Sequence, residues 1–168
     1  MKRLYLIRHA KSSWAEPGLD DFDRPLNRRG QADAPFMGQR LARYGVHPDR
    51  IVASPAKRAR KTARIIAEAV GVTEKVIDLD AALYMAEIPA LLQTIAGVPD
   101  SHEELAVVGH NYGITDLAEW LTGRSIGNIP TCGVVAIEFD CPSWSDLKEG
   151  SGRLLFFDYP KKHSGRHY

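Results

Sequence analysis

Leu4-Tyr5-Leu6-Ile7-Arg8-His9 decides the fold: four consecutive large apolar residues read as a buried strand, and the charged pair behind them falls where open α/β sheets bind ligands. A guanidinium and an imidazole therefore stand at the mouth of a site. Imidazole can attack a phosphorus atom, and guanidinium presents a rigid fork of donors that matches phosphate oxygens. The pair points to phosphate chemistry, against the blander reading of a structural histidine beside a surface arginine.

Two further stretches place charge behind a strand. Ser54-Pro55-Ala56-Lys57-Arg58-Ala59-Arg60-Lys61-Thr62-Ala63 follows a short apolar strand and opens a helix, and Gly109-His110-Asn111 follows Leu105-Ala106-Val107-Val108 and precedes another. Strand candidates are 2–7, 50–53, 75–79, 104–108, 133–139 and 153–159. The first four alternate with helical patterns, the signature of crossover helices, and the last two flank a polar, glycine-bearing connection at 142–152 that reads as a long hairpin loop. The predicted architecture is a single-domain α/β fold, a mostly parallel sheet flanked by helices and finishing in a C-terminal antiparallel pair. The helix over 56–70 carries Ala59, Ala63, Ile66 and Val70 at helical spacing. In the helix before it, Asn27 as cap would leave Pro35 inside, whereas Asp33 as cap puts Pro35 in the first turn and avoids a lost backbone bond. Either start gives an inward face of Phe36, Met37, Leu41 and Tyr44.

At 168 residues the chain suits one domain that buries on the order of 70% of its unfolded surface. Lysine and arginine number 22 against 21 acids, so the net charge of +1 gives no global field toward nucleic acid or membrane, and local clusters must do any steering. Cys132 and Cys141 form neither a redox pair motif nor a zinc ribbon and read as ordinary thiols in a reducing compartment. The apolar run behind Met1-Lys2-Arg3 is too short for a signal peptide or for a span of about 20 residues. The chain is expected to be cytoplasmic, with no nucleic-acid or membrane partner. His47, His102, His163 and His167 show no zincin spacing and no Gly-x-Gly-x-x-Gly follows a strand, so neither a metal nor another cofactor is expected.

On Arg8-His9, the 54–63 stretch and Gly109-His110-Asn111, in that order, the chain resembles the histidine phosphatase superfamily, which shares the phosphoglycerate-mutase fold. Its wording is most similar to the small bacterial SixA-type phosphohistidine phosphatases, through Arg8-His9-Ala10-Lys11-Ser12-Ser13-Trp14 and Asp23-Arg24-Pro25-Leu26-Asn27-Arg28-Arg29-Gly30. The landmarks imply a histidine phosphatase domain over 1–159 and a basic, mobile tail over 160–168. The resemblance implies that His9 is the nucleophile and becomes phosphorylated, that Arg8 and Arg58 clamp the phosphoryl oxygens, that His110 stabilises the transferring group, and that Arg24 adds a further phosphate contact. For attack, His9 must be neutral with one ring nitrogen free and the other held by an acceptor such as a backbone carbonyl. Ser12 and Asn27 are weighed as phosphate contacts or as turn and cap residues.

Two departures bear on substrate. Many superfamily members have glycine and glutamate after the Arg-His pair, where this chain has Ala10 and Lys11, and many place an acid after the third strand, where Asp78–Glu87 fixes no residue to that role and Glu87 is the candidate. A positioned acid contributes about 100 to 10,000-fold when an alkoxide must leave, whereas a phosphorylated imidazole departs far more readily. The compact stretch between Val70 and Leu105 also leaves the site open to a side chain from another protein. The expected substrate is therefore protein phosphohistidine. A broad small-molecule phosphomonoesterase and a non-catalytic phosphate-dependent binding module are the competing readings.

Overall fold

Strand β1 (Lys2–Arg8) has apolar side chains on both faces, as a strand between two helical layers must: Leu4 and Leu6 enter one layer, Tyr5 and Ile7 the other. In the computed structural model, which describes residues 1–163, it joins β2 (Arg50–Ala53), β3 (Ile77–Leu79), β4 (Glu104–Gly109), β5 (Val134–Phe139) and β6 (Arg153–Asp158) in one six-stranded sheet. The order is β3-β2-β4-β1-β5-β6. The first four strands are parallel, while β5 runs antiparallel to both β1 and β6. The antiparallel ending is thus one reversed strand between two that share a direction.

Helices α1 (Arg28–Arg43) and α2 (Lys57–Val70) cover one face, burying Met37, Leu41, Ala63 and Ile66 against Tyr5, Ile7 and Ile51. Helices α3 (Ile88–Ala96) and α4 (Gly113–Thr122) cover the other, with Leu91, Ile95 and Leu117 against Leu4, Leu6 and Val107. The parallel registers pair Arg8 with Gly109 and Ala53 with Val108. The chain segments leaving β1, β2 and β4 therefore emerge side by side, and His9, Ser54 and His110 share one edge. Among the described residues no helix is long and apolar enough to cross a membrane.

Helix α1 corrects the sequence reading of its start. Asn27 is the cap, its side chain accepting from the Gly30 amide at 2.8 Å, and Pro35 lies inside the helix. An interior proline costs about 3 kcal/mol. Burial of Met37 and Leu41, each worth about 1.5–3 kcal/mol, is enough to offset it. The first turn is also moored from outside: the Asn27 amide donates to the Lys11 carbonyl at 3.0 Å, and Ser12 bridges to Leu26. Propensity favoured the later start, and docking on the 10–13 loop overrides it.

The 142–152 connection is less open than its polarity suggested. Trp144 is buried in it, with its indole donating to the His102 carbonyl at 2.7 Å. Pro160–Lys162 forms a 3-10 turn, and His163 reaches Asp158 at 2.8 Å and packs edge-on against Phe36. The start of the expected mobile tail is therefore folded back on the domain, and residues 164–168 lie outside the described residues.

Gly30 sits where α1 meets the 10–13 loop, and a Cβ there would lie 2.1 Å from the Lys11 carbonyl oxygen. Alanine in place of glycine inside a helix ordinarily stabilises by about 0.5–1 kcal/mol. Gly30→Ala should instead lower the melting temperature, measured by differential scanning calorimetry. An unchanged or higher value would show that the loop and helix are not in contact.

Candidate active site

The strand-end edge becomes a site because short-range bonds fix each side chain as it leaves the sheet. His9 Nδ1 bonds to the Ala10 carbonyl at 2.7 Å, and the Ala10 amide donates to Thr62 Oγ1 at 3.0 Å. Thr62 donates in turn to the Arg58 carbonyl at 2.7 Å. One buried hydroxyl thus ties the His9 loop to the helix that carries Arg58. The fixed Nδ1 hydrogen leaves Nε2 as the free ring nitrogen, which accepts from Arg58 Nε at 3.3 Å.

His110 lies opposite, its ring centroid 5.2 Å from that of His9. Its Nε2 bonds to Ser54 Oγ at 2.8 Å and its Nδ1 accepts from Arg58 Nη2 at 3.4 Å, which assigns the proton to Nε2. Arg8 donates to the Ile129 carbonyl at 3.0 Å, while its buried Nε has no partner among the described residues. Arg24 is buried, donating to Ser12 Oγ at 2.8 Å, and its guanidinium lies 3.5 Å from the centroid of the Trp14 ring. Arg8, His9, Arg24, Arg58 and His110 all line one cavity of about 240 Å³, with Lys11 at its exposed side.

Three guanidiniums and buried imidazoles make the site hostile to further positive charge. Burial, a bond to the Ala10 carbonyl that opposes it, and the neighbouring His110, Arg58 and Arg8 leave the His9 pKa at about 3. Burial and Arg58 pull His110 down to about 4. Both rings are neutral at pH 7, so His110 carries no positive charge in the free site. Burial likewise lowers the Arg8 guanidinium, which stays ionised.

The residue that sequence reasoning missed is Asp21, the cavity's one carboxylate among the described residues. It bonds Arg58 Nη2 at 2.8 Å and Arg24 Nη2 at 3.0 Å, and it accepts from the Tyr84 hydroxyl at 2.5 Å. Desolvation would raise its carboxyl, but the bonds from Tyr84 and Arg58 outweigh that and hold it well below the ordinary carboxylate range. The hydrogen bond to Asp21 raises the Tyr84 phenol in turn. Asp21 stands three residues before Arg24, and only that nearness to a candidate arginine could have drawn attention to it. Glu87, the acid candidate from sequence, sits exposed at the start of α3 and does not line the cavity. Asn27 serves as the α1 cap, and Ser12 turns to Arg24. Among the described residues no cluster of His, Cys, Asp or Glu gathers to hold a metal ion.

Comparison with known proteins meets this geometry from outside. The family model for the histidine phosphatase superfamily (branch 1) matches residues 4–84. The chain is 34% identical over 162 residues to an uncharacterized chloroplastic protein of Arabidopsis thaliana, covering 90% of this chain and 72% of the relative. It is similar in structure to a candidate phosphohistidine phosphatase SixA of Agrobacterium tumefaciens, with TM-score 0.80 and 30% identity across 95% of this chain and 98% of that one. The protein histidine phosphatase SixA solved with tungstate superposes with TM-score 0.81 over 95% of this chain and 98% of that one, and at 16% identity it shows the shared fold.

The histidine pKa values make a stability prediction. Each folded value lies below the ordinary 6.5, so as pH falls the unfolded chain takes up protons before the folded one does. This contribution leaves stability intact above about pH 6.5 and erodes it from there down to about pH 4 for His110 and about pH 3 for His9, by up to about 1.4 kcal/mol per pH unit for each ring. Nitrogen-detected NMR should show His9 and His110 neutral at pH 5.5, with the His9 proton on Nδ1. Titration of either ring near pH 6.5 would refute the buried, cation-crowded site.

Proposed function

The chain belongs to the histidine phosphatase superfamily, and from that premise we propose that it removes phosphate from protein phosphohistidine through a phosphorylated His9. The observation that carries this reading is the state of His9: a neutral ring, anchored at Nδ1 by the Ala10 carbonyl, presents Nε2 to a cavity edged by Arg8, Arg24 and Arg58. Nε2 attacks phosphorus as the phosphorus–nitrogen bond of the substrate breaks. Water then attacks phosphorus in the phosphorylated His9, the bond to Nε2 breaks, and inorganic phosphate and a proton leave with the ring again neutral. No cofactor takes part in either step.

Positioning and charge supply most of the help in phosphoryl transfer. Arg58 Nε, now bonded to His9 Nε2, turns its fork to the phosphoryl oxygens when Nε2 attacks, and Arg8 contributes the Nε donor that has no partner in the free site. Arg24 adds a third cation. A phosphoryl dianion within reach of His110 favours the protonated ring and would turn its Nδ1 from acceptor to donor.

The leaving group selects phosphohistidine over phosphomonoesters. A substrate imidazole protonated at its other nitrogen departs neutral and asks nothing of an acid, whereas an alkoxide needs a proton delivered. Asp21 is held ionised by Tyr84, Arg58 and Arg24, and Glu87 is outside the cavity. Both facts favour the substrate that needs no acid. Cys132 and Cys141, which form neither a redox pair motif nor a zinc ribbon, accord with a cytoplasmic enzyme.

Turnover of a histidine-phosphorylated protein domain and of an aryl phosphomonoester, followed as kcat/KM in parallel, tests the reading. The phosphohistidine substrate should be preferred by at least about 100-fold. His9→Ala should retain its circular dichroism and lose at least about 1,000-fold in turnover of both. Equal or better turnover of the ester would reassign the protein as a phosphomonoesterase, and near wild-type activity of the variant would remove His9 from the mechanism.

A further inference from the structure

Beside the catalytic cavity lies a larger groove of about 530 Å³, walled by Lys57, Arg60, Lys61 and Arg64 and floored by Leu26 and Ile65. The four cations recur at helical spacing along one side of α2, so 57 with 61 and 60 with 64 are like-charge neighbours that each destabilise a helix by about 0.2–0.5 kcal/mol. Arg64 is neutralised by Glu74 at 3.2 Å. Among the described residues Lys57, Arg60 and Lys61 have no ion pair, and no acid lines the groove. In a chain whose net charge is only +1, this is a concentrated positive surface.

The groove and the catalytic cavity are joined through the backbone at two points. Lys57 and Pro25 line the groove, and their chain neighbours Arg58 and Arg24 line the cavity. The mouth of the cavity is apolar as well as open: Trp14 and Met85 line it at 73% and 55% exposure, and Tyr112, next to Asn111 of the lining, is 66% exposed. Large apolar side chains gathered at a rim mark contact with a macromolecule more often than with a small ester.

We infer that the α2 groove docks an acidic segment of the phosphoprotein substrate while its phosphorylated side chain enters the adjoining cavity. This rests on the proposed phosphatase activity toward a protein. Glutamates and aspartates meet Lys57, Arg60 and Lys61, and aliphatic side chains of the same segment meet Leu26 and Ile65. A nucleic acid strand fits the charge but not the lining, since among the described residues the groove presents no aromatic ring on which a base could stack. The role of the groove is to raise local substrate concentration and association rate, so it acts on kcat/KM for acidic proteins and leaves the chemical step alone.

Histidine peptides phosphorylated with phosphoramidate, flanked by glutamates or by serines, together with free phosphohistidine, separate docking from chemistry. Wild type should turn over the glutamate-flanked peptide at least about tenfold better than the serine-flanked one, with the advantage shrinking as salt rises. Arg60→Glu/Lys61→Glu should abolish that advantage and leave free phosphohistidine within about twofold of wild type. Arg60→Gln/Lys61→Gln, which removes charge without reversing it, should lose part of the advantage and guards against a folding defect. Fluorescence anisotropy with the labelled, unphosphorylated glutamate peptide reads docking without turnover, so loss of phosphatase activity toward every substrate would count against the proposed function alone. Equal affinity of wild type and both variants for that peptide would overturn the groove, as would tighter binding of an oligothymidylate strand lost in the same variants.

Discussion

The 2.7 Å bond between His9 Nδ1 and the Ala10 carbonyl sets the tautomer of the proposed nucleophile, and its neighbours work to keep it in place. Its acceptor belongs to the residue whose amide is held by Thr62, and Thr62 is bonded to the carbonyl of Arg58. A shift of the β1 exit loop would therefore turn the ring and move Arg58 together. The same loop is pressed from the other side by α1, whose first turn takes the Lys11 carbonyl as a bonding partner and admits no side chain at Gly30. Helix packing, loop conformation and imidazole tautomer are in this way one mechanical unit.

Electrostatics sets the second constraint. A cavity with Arg8, Arg24 and Arg58 around two buried imidazoles would be self-repelling without a counter-charge, and Asp21 supplies one by bridging two of the guanidiniums. The same carboxylate occupies donors that a phosphate would use. On the proposed function, substrate binding would exchange one anion for another, with the guanidiniums already held in place by Asp21 in the free protein. Asp21 stands at the exposed start of a 3-10 turn, with the Tyr84 hydroxyl as a further partner that does not depend on Arg58.

Much of this was legible in the sequence, for physical reasons that also explain what was not. Leu4 to Ile7 and Leu105 to Val108 are apolar without alternation because they are covered on both sides, and that pattern names a central parallel strand. His9, Arg58 and His110 were readable because each follows a strand within one to five residues, where the fold leaves little freedom. Asp21 and Tyr84 were not, because they come from a loop and from the segment after β3, and their meeting depends on a tertiary path without local periodicity. The start of α1 was hidden for a related reason: the energy that tolerates Pro35 comes from Met37, Leu41 and the Lys11 loop rather than from the helix itself. The protonation of His110 is likewise a property of burial beside Arg58, which no motif encodes.

Helix α2 shows how one short sequence serves two surfaces. Arg58 and Thr62 are four residues apart and both buried, so the phase that turns Thr62 toward Ala10 also turns Arg58 toward His9. Lys57 and Lys61 repeat the same interval one residue out of phase and face solvent beside the groove. Five cations crowd eight positions, yet a rotation of about 100° per residue sorts a desolvated clamp from a hydrated, unneutralised wall. Exclusion of water would amplify each contact of a buried guanidinium with a phosphoryl oxygen, whereas the exposed wall acts through a field that salt can weaken. Placing Arg58 and the Lys57/Lys61 pair on a single helix fixes the distance between the buried cavity and the exposed groove, so a phosphoprotein bound as proposed would be held in register with His9.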